Sequence, residues 1–217
     1  MYNEQLKDLV RISQAAGKSP DLVQGGGGNT SVKLDDTLMA VKASGYKLKE
    51  ITMTDGFVVV NYKNIKEYHE QADLSKDMDY EKESGEFVRS NIVPLEGLKP
   101  LRPSVEAGFH SILLKCVIHT HPVYANIICC SENGRELVEK IFSGKDYGFV
   151  WIPYINPGFM LTLAIMKEVN KHISEKGFFP KVIFMENHGL VVTDDDADAC
   201  IRLHEEVLDT IRGYFSI

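Results

Sequence analysis

The chain has 217 residues, 44% hydrophobic and 25% charged, proportions ordinary for a globular protein of one large domain or two small ones. With Lys+Arg 24 against Asp+Glu 31, the formal net charge is −7, which argues against a general nucleic-acid or anionic-membrane surface but leaves room for a local anion pocket. No run approaches the roughly 18–20 apolar residues that cross a bilayer, MYNEQLKDLV does not read as a signal peptide, and Cys116, Cys129, Cys130 and Cys200 lack zinc-finger spacing, so a reducing cytoplasm is the expected location.

From the N-terminus, residues 3–16 are expected to form a helix with Leu6, Leu9 and Val10 in its apolar stripe and Gly17 at its end. Ser19-Pro20-Asp21 opens a short turn. GGGGNTSVKL follows, and four consecutive glycines, Gly25–Gly28, suit neither a helix nor a strand interior. Their N–H groups can turn inward as an anion nest, with Asn29, Thr30 and Ser31 adding donors, although such a run is often only a turn. Strands are expected over 31–34 and 38–43, joined by Asp35-Asp36-Thr37, with another over 57–60.

Residues 61–103 are polar and broken by Pro94, Gly97, Pro100 and Pro103, which reads as a surface excursion with one helix over 80–90. PSVEAGFHSILLK then reads as a helix carrying Val105, Phe109, Ile112 and Leu113 on one face. A strand over 116–121 leads to a helix over 123–130 that Pro122 opens. Beyond it come a strand over 150–154, a helix over 162–176 ended by Gly177, and strands over 181–186 and 190–193 around a tight Asn187-His188-Gly189 turn. The final helix is expected to start at Thr193 or Asp194 and to bury Ala197, Cys200, Ile201, His204, Val207, Leu208 and Ile211. His204 on that stripe reads as a satisfied core histidine.

The stretch CVIHTHP carries the first chemical signal. On a strand, His119 and His121 share a face and their Cα atoms lie roughly 6.5–7 Å apart, close enough for both rings to reach one ion. Two polar residues opening a loop would also fit. A histidine-held divalent ion usually needs a third protein ligand, and His188, in another turn off an apolar strand, is the best candidate. His69, lying in the polar excursion, His110, and His172, midway along a charged helix and expected to be solvated, are poorer ones. Glu106 fits a helix N-terminal acid, and beside a metal it fits a general base, or a spare ligand until substrate arrives, with His110 one turn on to orient it. Ser44-Gly45 and Ser104 add donor-rich turns, so a phosphate-plus-metal site is coherent.

GGGGNTSVK, KASGYKL, RPSVEAGFH, VIHTHPVYAN and ENHGLVV stand in the order of the motifs of the class II aldolase/adducin family, which the chain resembles over nearly its whole length. The nearest resemblance is to the aldolase portion of bifunctional rhamnulose-phosphate aldolase/alcohol dehydrogenases, shared in SPDLVQGGGGNTSVK, in RPSVE with HTHP, and in VWIPYINPGF, with no dehydrogenase portion in this sequence. The resemblance implies one three-layer α/β/α domain over 1–217 with a mostly antiparallel central sheet, assembled as a homotetramer with sites near subunit interfaces. It implies that His119, His121 and His188 hold Zn2+ or another divalent cation such as Mn2+ and that Glu106 is the acid/base. Gly28, Asn29, Thr30, Ser44, Gly45 and Ser104 would then line the phosphate pocket.

The implied activity is cleavage of a ketose 1-phosphate or related sugar phosphate to dihydroxyacetone phosphate and an aldehyde through a metal-stabilised enediolate. The partner is a small sugar phosphate, with no nucleic acid or membrane. Dehydratases, epimerases and decarboxylases of the family resemble the pattern equally at the metal, and a non-catalytic adducin-like module is expected to lack some of the histidines. Two departures stand out. Val105 occupies the place of a second serine, and the family's proton-donating tyrosine has no clear counterpart, Tyr214 being a possible substitute.

Overall fold

The structure, a computed structural model, describes residues 2–217. Its seven strands are β1 (Asn29–Lys33), β2 (Leu38–Lys42), β3 (Phe57–Asn61), β4 (Cys116–Thr120), β5 (Phe149–Ile152), β6 (Val182–Met185) and β7 (Gly189–Asp194). They form one sheet in the order β3-β2-β1-β4-β7-β6-β5, antiparallel except between β5 and β6. The order places β4 between β1 and β7, so the strand that carries HTHP has the glycine loop on one side and the His188 turn on the other.

Helices cover both faces. On one lie α1 (Asn3–Ala16), α5 (Val123–Cys129), α6 (Gly134–Phe142) and α8 (Ala197–Phe215), packed on Val32, Ile118 and Val192. On the other lie α2 (Tyr62–Glu70), α3 (Tyr80–Ser90), the short α4 (Ala107–Ile112) and α7 (Phe159–Lys176), packed on Val117, Val191 and Val41. The three-layer α/β/α arrangement follows from strands whose alternate residues are apolar on both sides, a pattern that stabilises only when both faces are covered. On α8, Cys200, Leu203, Val207 and Ile211 face inward, and each buried Leu or Ile is worth about 1.5–3 kcal/mol over its exposed state.

Several local expectations are corrected. The excursion over 61–103 contains a second helix, α2, which follows β3 directly and buries Ile65 and His69 beneath α4. Residues 134–142 are also helical, stabilised by burial of Val138 and Phe142 rather than by any sharp start signal. Val105 is not in an apolar stripe: the helix begins only at Ala107, and Val105 stands 74% exposed ahead of it. The last helix starts at Ala197, capped by the Asp196 side chain on Ala199 N, because pairing with β4 extends β7 through Asp194. His172 is half-buried against Gly148 and Phe178 rather than solvated.

Candidate metal centre and active site

The site grows from the register of the three central strands. Directly opposed residues of antiparallel neighbours share a face. Asn29 of β1 and Val191 of β7 both pair with His119 of β4, so all three face α4 and α7, while Ile118 and Thr120 face α1 and α8. His119 lies on the strand; His121 lies one residue past its end, beside the glycine loop. His188 sits in the β6–β7 turn, which closes because Asn187 adopts a left-handed conformation at φ 52°.

The three rings converge. Their ligand-capable nitrogens all lie within 4.8 Å of one another, and His119 Nε2 and His121 Nε2 are 3.1 Å apart. Two ligands at tetrahedral angles around zinc, with bonds of about 2.05 Å, stand roughly 3.3 Å apart, so this spacing fits a shared ion. His119 Nδ1 lies 3.0 Å from the Leu190 carbonyl; donating to it fixes the tautomer and leaves the Nε2 lone pair free for a metal. The residues present therefore fit a divalent cation of the zinc or manganese type.

Glu106 completes the cluster. It occupies the N-cap position of α4 but makes no side-chain cap; its Oε1 instead lies 3.4 Å from His119 Nε2 and 3.2 Å from His188 Nε2. Burial alone would raise its carboxyl, but the charges and hydrogen bonds of His119 and His188 outweigh that and hold it well below the usual range. Burial likewise pulls His119 down, and the Glu106 carboxylate overrides it, so His119 ends above its ordinary value. Burial, with His119 and His188 nearby, pushes His121 down to about 4. Three imidazoles and one carboxylate thus meet at one end of the central strands.

The anion-binding expectations divide. Asn29 is fully buried, its Oδ1 accepts from Thr30 N, and its Nδ2 has no partner among the described residues, which makes it an available donor. Gly28 lies against His119 O, and a Cβ at Gly27 would come within 3.0 Å of His121 Nδ1, so the glycine loop closes directly over the histidines. Ser44 and Ser104 line one cleft, tied together by Ser44 N donating to Arg102 O at 2.8 Å and by Glu106 N donating to Ser104 Oγ at 3.3 Å. Gly45 turns the chain there at φ 84°.

Thr30, by contrast, is not part of the site. It faces the other side of the sheet, where its Oγ1 pairs with Ser13 Oγ of α1 at 2.7 Å, because the register places Asn29 rather than Thr30 beside His119. The His110 ring does not reach the Glu106 carboxylate; its Nδ1 meets Ser31 Oγ at 2.7 Å, and burial pushes it down to about 3. Tyr214 sits at the exposed end of α8 under Lys140, away from the histidines. His204 is the core histidine expected, its Nε2 2.7 Å from Thr120 Oγ1.

Sequence reasoning missed Lys42. It is 3% exposed at the end of β2, and its Nζ has only the carbonyls of Gly26 and Ala43, at 3.4 and 3.3 Å, as partners. Burial lowers its affinity for a proton, and the Glu106 carboxylate works the other way. A buried ammonium without a bonded carboxylate carries a charge that the protein leaves uncompensated. The only sequence signal was a lysine ending an otherwise apolar strand directly before Ala43-Ser44-Gly45.

Comparison with known proteins agrees with this architecture. A protein described as uncharacterized oxidoreductase YuxG from Bacillus subtilis (strain 168) is 28% identical over 222 residues, covering 97% of this chain but 30% of its own length. The chain thus spans less than a third of that relative. The 3-oxo-tetronate 4-phosphate decarboxylase of Haemophilus influenzae is 23% identical over 89% of this chain and 79% of its own. The solved N-terminal class II aldolase domain of a conserved Thermoplasma acidophilum protein superposes with a TM-score of 0.78 at 25% identity, covering 98% of this chain and 94% of that one. Residues 7–215 match the family model described as Class II Aldolase and Adducin N-terminal domain. The chain belongs to the class II aldolase and adducin N-terminal domain family.

Proposed function

We propose that the protein is a divalent-metal-dependent lyase that cleaves a ketose 1-phosphate or related sugar phosphate to dihydroxyacetone phosphate and an aldehyde. The observation that carries this reading is the convergence of His119, His121 and His188 on one point, with Glu106 Oε1 3.2–3.4 Å from two of them. A divalent ion held by His119, His121 and His188 would supply Lewis acidity toward a substrate carbonyl. The three histidines are the proposed ligands, and Glu106 is the proposed acid/base. Glu106 removes the proton from the nucleophilic carbon in the condensation direction and returns it to the same carbon in cleavage. Asn29 Nδ2 is a donor to a substrate oxygen, and Lys42, with Ser44 and Ser104, offers charge and hydroxyls to the phosphate.

The family's quaternary arrangement, a homotetramer, belongs to the same proposal. A second reading, decarboxylation of an oxo-acid phosphate, is favoured by the similarity to the Haemophilus decarboxylase over 89% of the chain. Metal analysis of the purified protein beside a His119→Ala/His121→Ala variant tests the centre. About one divalent ion per chain, lost in the variant, supports it, and no ion in either protein after zinc or manganese is supplied defeats it. A screen of ketose phosphates then follows aldehyde against carbon dioxide release. Glu106→Gln is expected to keep the metal and lose most turnover; full activity in that variant would remove Glu106 from its role.

A further inference from the structure

Beside the cluster runs a cleft of about 440 Å³, lined by Ser44, Ser104, Val105, Arg89, Arg102 and Asn156. That volume lies within the ~300–1,000 Å³ typical of small-molecule clefts. One wall is α3 and the other the segment leading to Glu106, so the cleft opens two residues from the proposed acid/base.

The charge in this cleft is unbalanced. Of the six arginines, Arg11, Arg135 and Arg212 have a carboxylate within 4.0 Å among the described residues, whereas Arg89, Arg102 and, on α8, Arg202 do not. The one acid on the cleft wall, Glu81, is committed elsewhere: its oxygens accept from Phe159 N at 2.7 Å and Met160 N at 3.2 Å, capping α7. Two exposed arginines thus line the same cleft as Ser44 and Ser104 in a protein whose net charge is −7. Guanidinium forks match phosphate oxygens in pairs, and two such forks suit a dianion better than one carboxylate. The backbone also supports the position. Ser44 N bonds to Arg102 O, and Ala43 bridges to Pro103, so the base of the Arg102 side chain is fixed to the end of β2.

We infer that Arg89 and Arg102 form the clamp for the substrate's phosphate and set selectivity for a phosphorylated over a neutral sugar. This rests on the reading of the protein as a sugar-phosphate enzyme and adds the residues that choose the substrate class. Ser104 and Ser44 provide neutral donors beneath the two forks. Val105, 74% exposed between clamp and Glu106, presents an apolar surface along which the carbon chain passes.

Calorimetric titration of inorganic phosphate and of dihydroxyacetone phosphate tests the clamp, using the metal-loaded wild type, Arg89→Ala, Arg102→Ala, the double variant and the corresponding lysine variants. Charge-assisted hydrogen bonds of this kind predict about a tenfold loss of affinity in each single alanine variant and more in the double. The lysine variants keep part of the affinity, and unphosphorylated dihydroxyacetone binds all forms alike. Both arginines are exposed, so melting temperature and metal content stay at the wild-type values. A double variant that binds both phosphates within about twofold of wild type, or a wild type that binds neither at ~10 mM, overturns the inference. Arginine-dependent phosphate binding by a protein that takes up no metal would leave the clamp standing and defeat the lyase reading instead.

Discussion

Gly28 is the residue at which the glycine loop meets the strand that carries His119, and replacing it by alanine has a magnitude that can be worked out. Its φ is +70°, a region that costs an L-residue about 1–2 kcal/mol. A Cβ there would stand 2.8 Å from His119 O and 2.9 Å from Val23 Cγ2. Val23 can turn, but His119 O belongs to the central strand and yields only if β1 and β4 separate, an overpacking cost of about 1–3 kcal/mol. Gly28→Ala is therefore expected to lose about 2–5 kcal/mol. Gly25 provides the control: its φ is +57°, yet a Cβ would meet nothing within 4 Å, so Gly25→Ala loses only the conformational part, about 1–2 kcal/mol. For a domain of this size 1 kcal/mol moves the melting point by roughly 2–4 °C. Paired thermal and urea melts measure the difference, and zinc titration of Gly28→Ala should show weaker binding as His119 shifts. Equal melting points for the two variants would refute the argument that the loop is packed rigidly on the histidines.

Three further outcomes are expected. Thr120→Val leaves the fully buried His204 Nε2 without its partner and should cost about 1–3 kcal/mol in urea unfolding, with a near-silent effect arguing that water replaces the hydroxyl. Burial holds His204 at about 4 in the folded chain against 6.5 ordinarily, so the unfolded state binds the extra proton. Stability should thus fall as pH drops from about 6.5 to 4, on the order of 3 kcal/mol from this residue, and His204→Leu should flatten that slope in pH-dependent melts. Lys42→Met removes a buried charge that has only backbone partners and should raise the melting point, while weakening phosphate binding; unchanged phosphate affinity would mean Lys42 is purely structural.

The histidine cluster was legible because its signals are short-range. An H-x-H-P pair ending an apolar strand and a histidine in a tight turn each declare their positions within about five residues. What could not be read was governed by partners distant in sequence. Thr30 and Asn29 are chemically similar donors in one motif, and only the register against β4 decides that Asn29 faces the centre while Thr30 meets Ser13 of α1. The helix α2 has a single well-buried aliphatic, Ile65, and draws its stability from α4 and α7, so its own periodicity announced nothing. Val105 fitted a helical stripe by spacing, but the turn from Ser104 to Ala107 begins α4 too late to include it. Lys42 looked like an ordinary strand-end lysine until the glycine loop was seen to cover it.

The placement of the centre across β1, β4 and β7 has a kinetic consequence. His119 and the carbonyl that orients it are 71 residues apart, so the cluster exists only after non-local strands have paired, a late event in a fold rich in distant contacts. An ion that recognises the assembled cluster binds the native state and neither the unfolded chain nor an early transition state. Saturating zinc should then slow unfolding in denaturant while leaving the refolding limb unchanged, so metal supply would govern how long each molecule persists more than how quickly it is made.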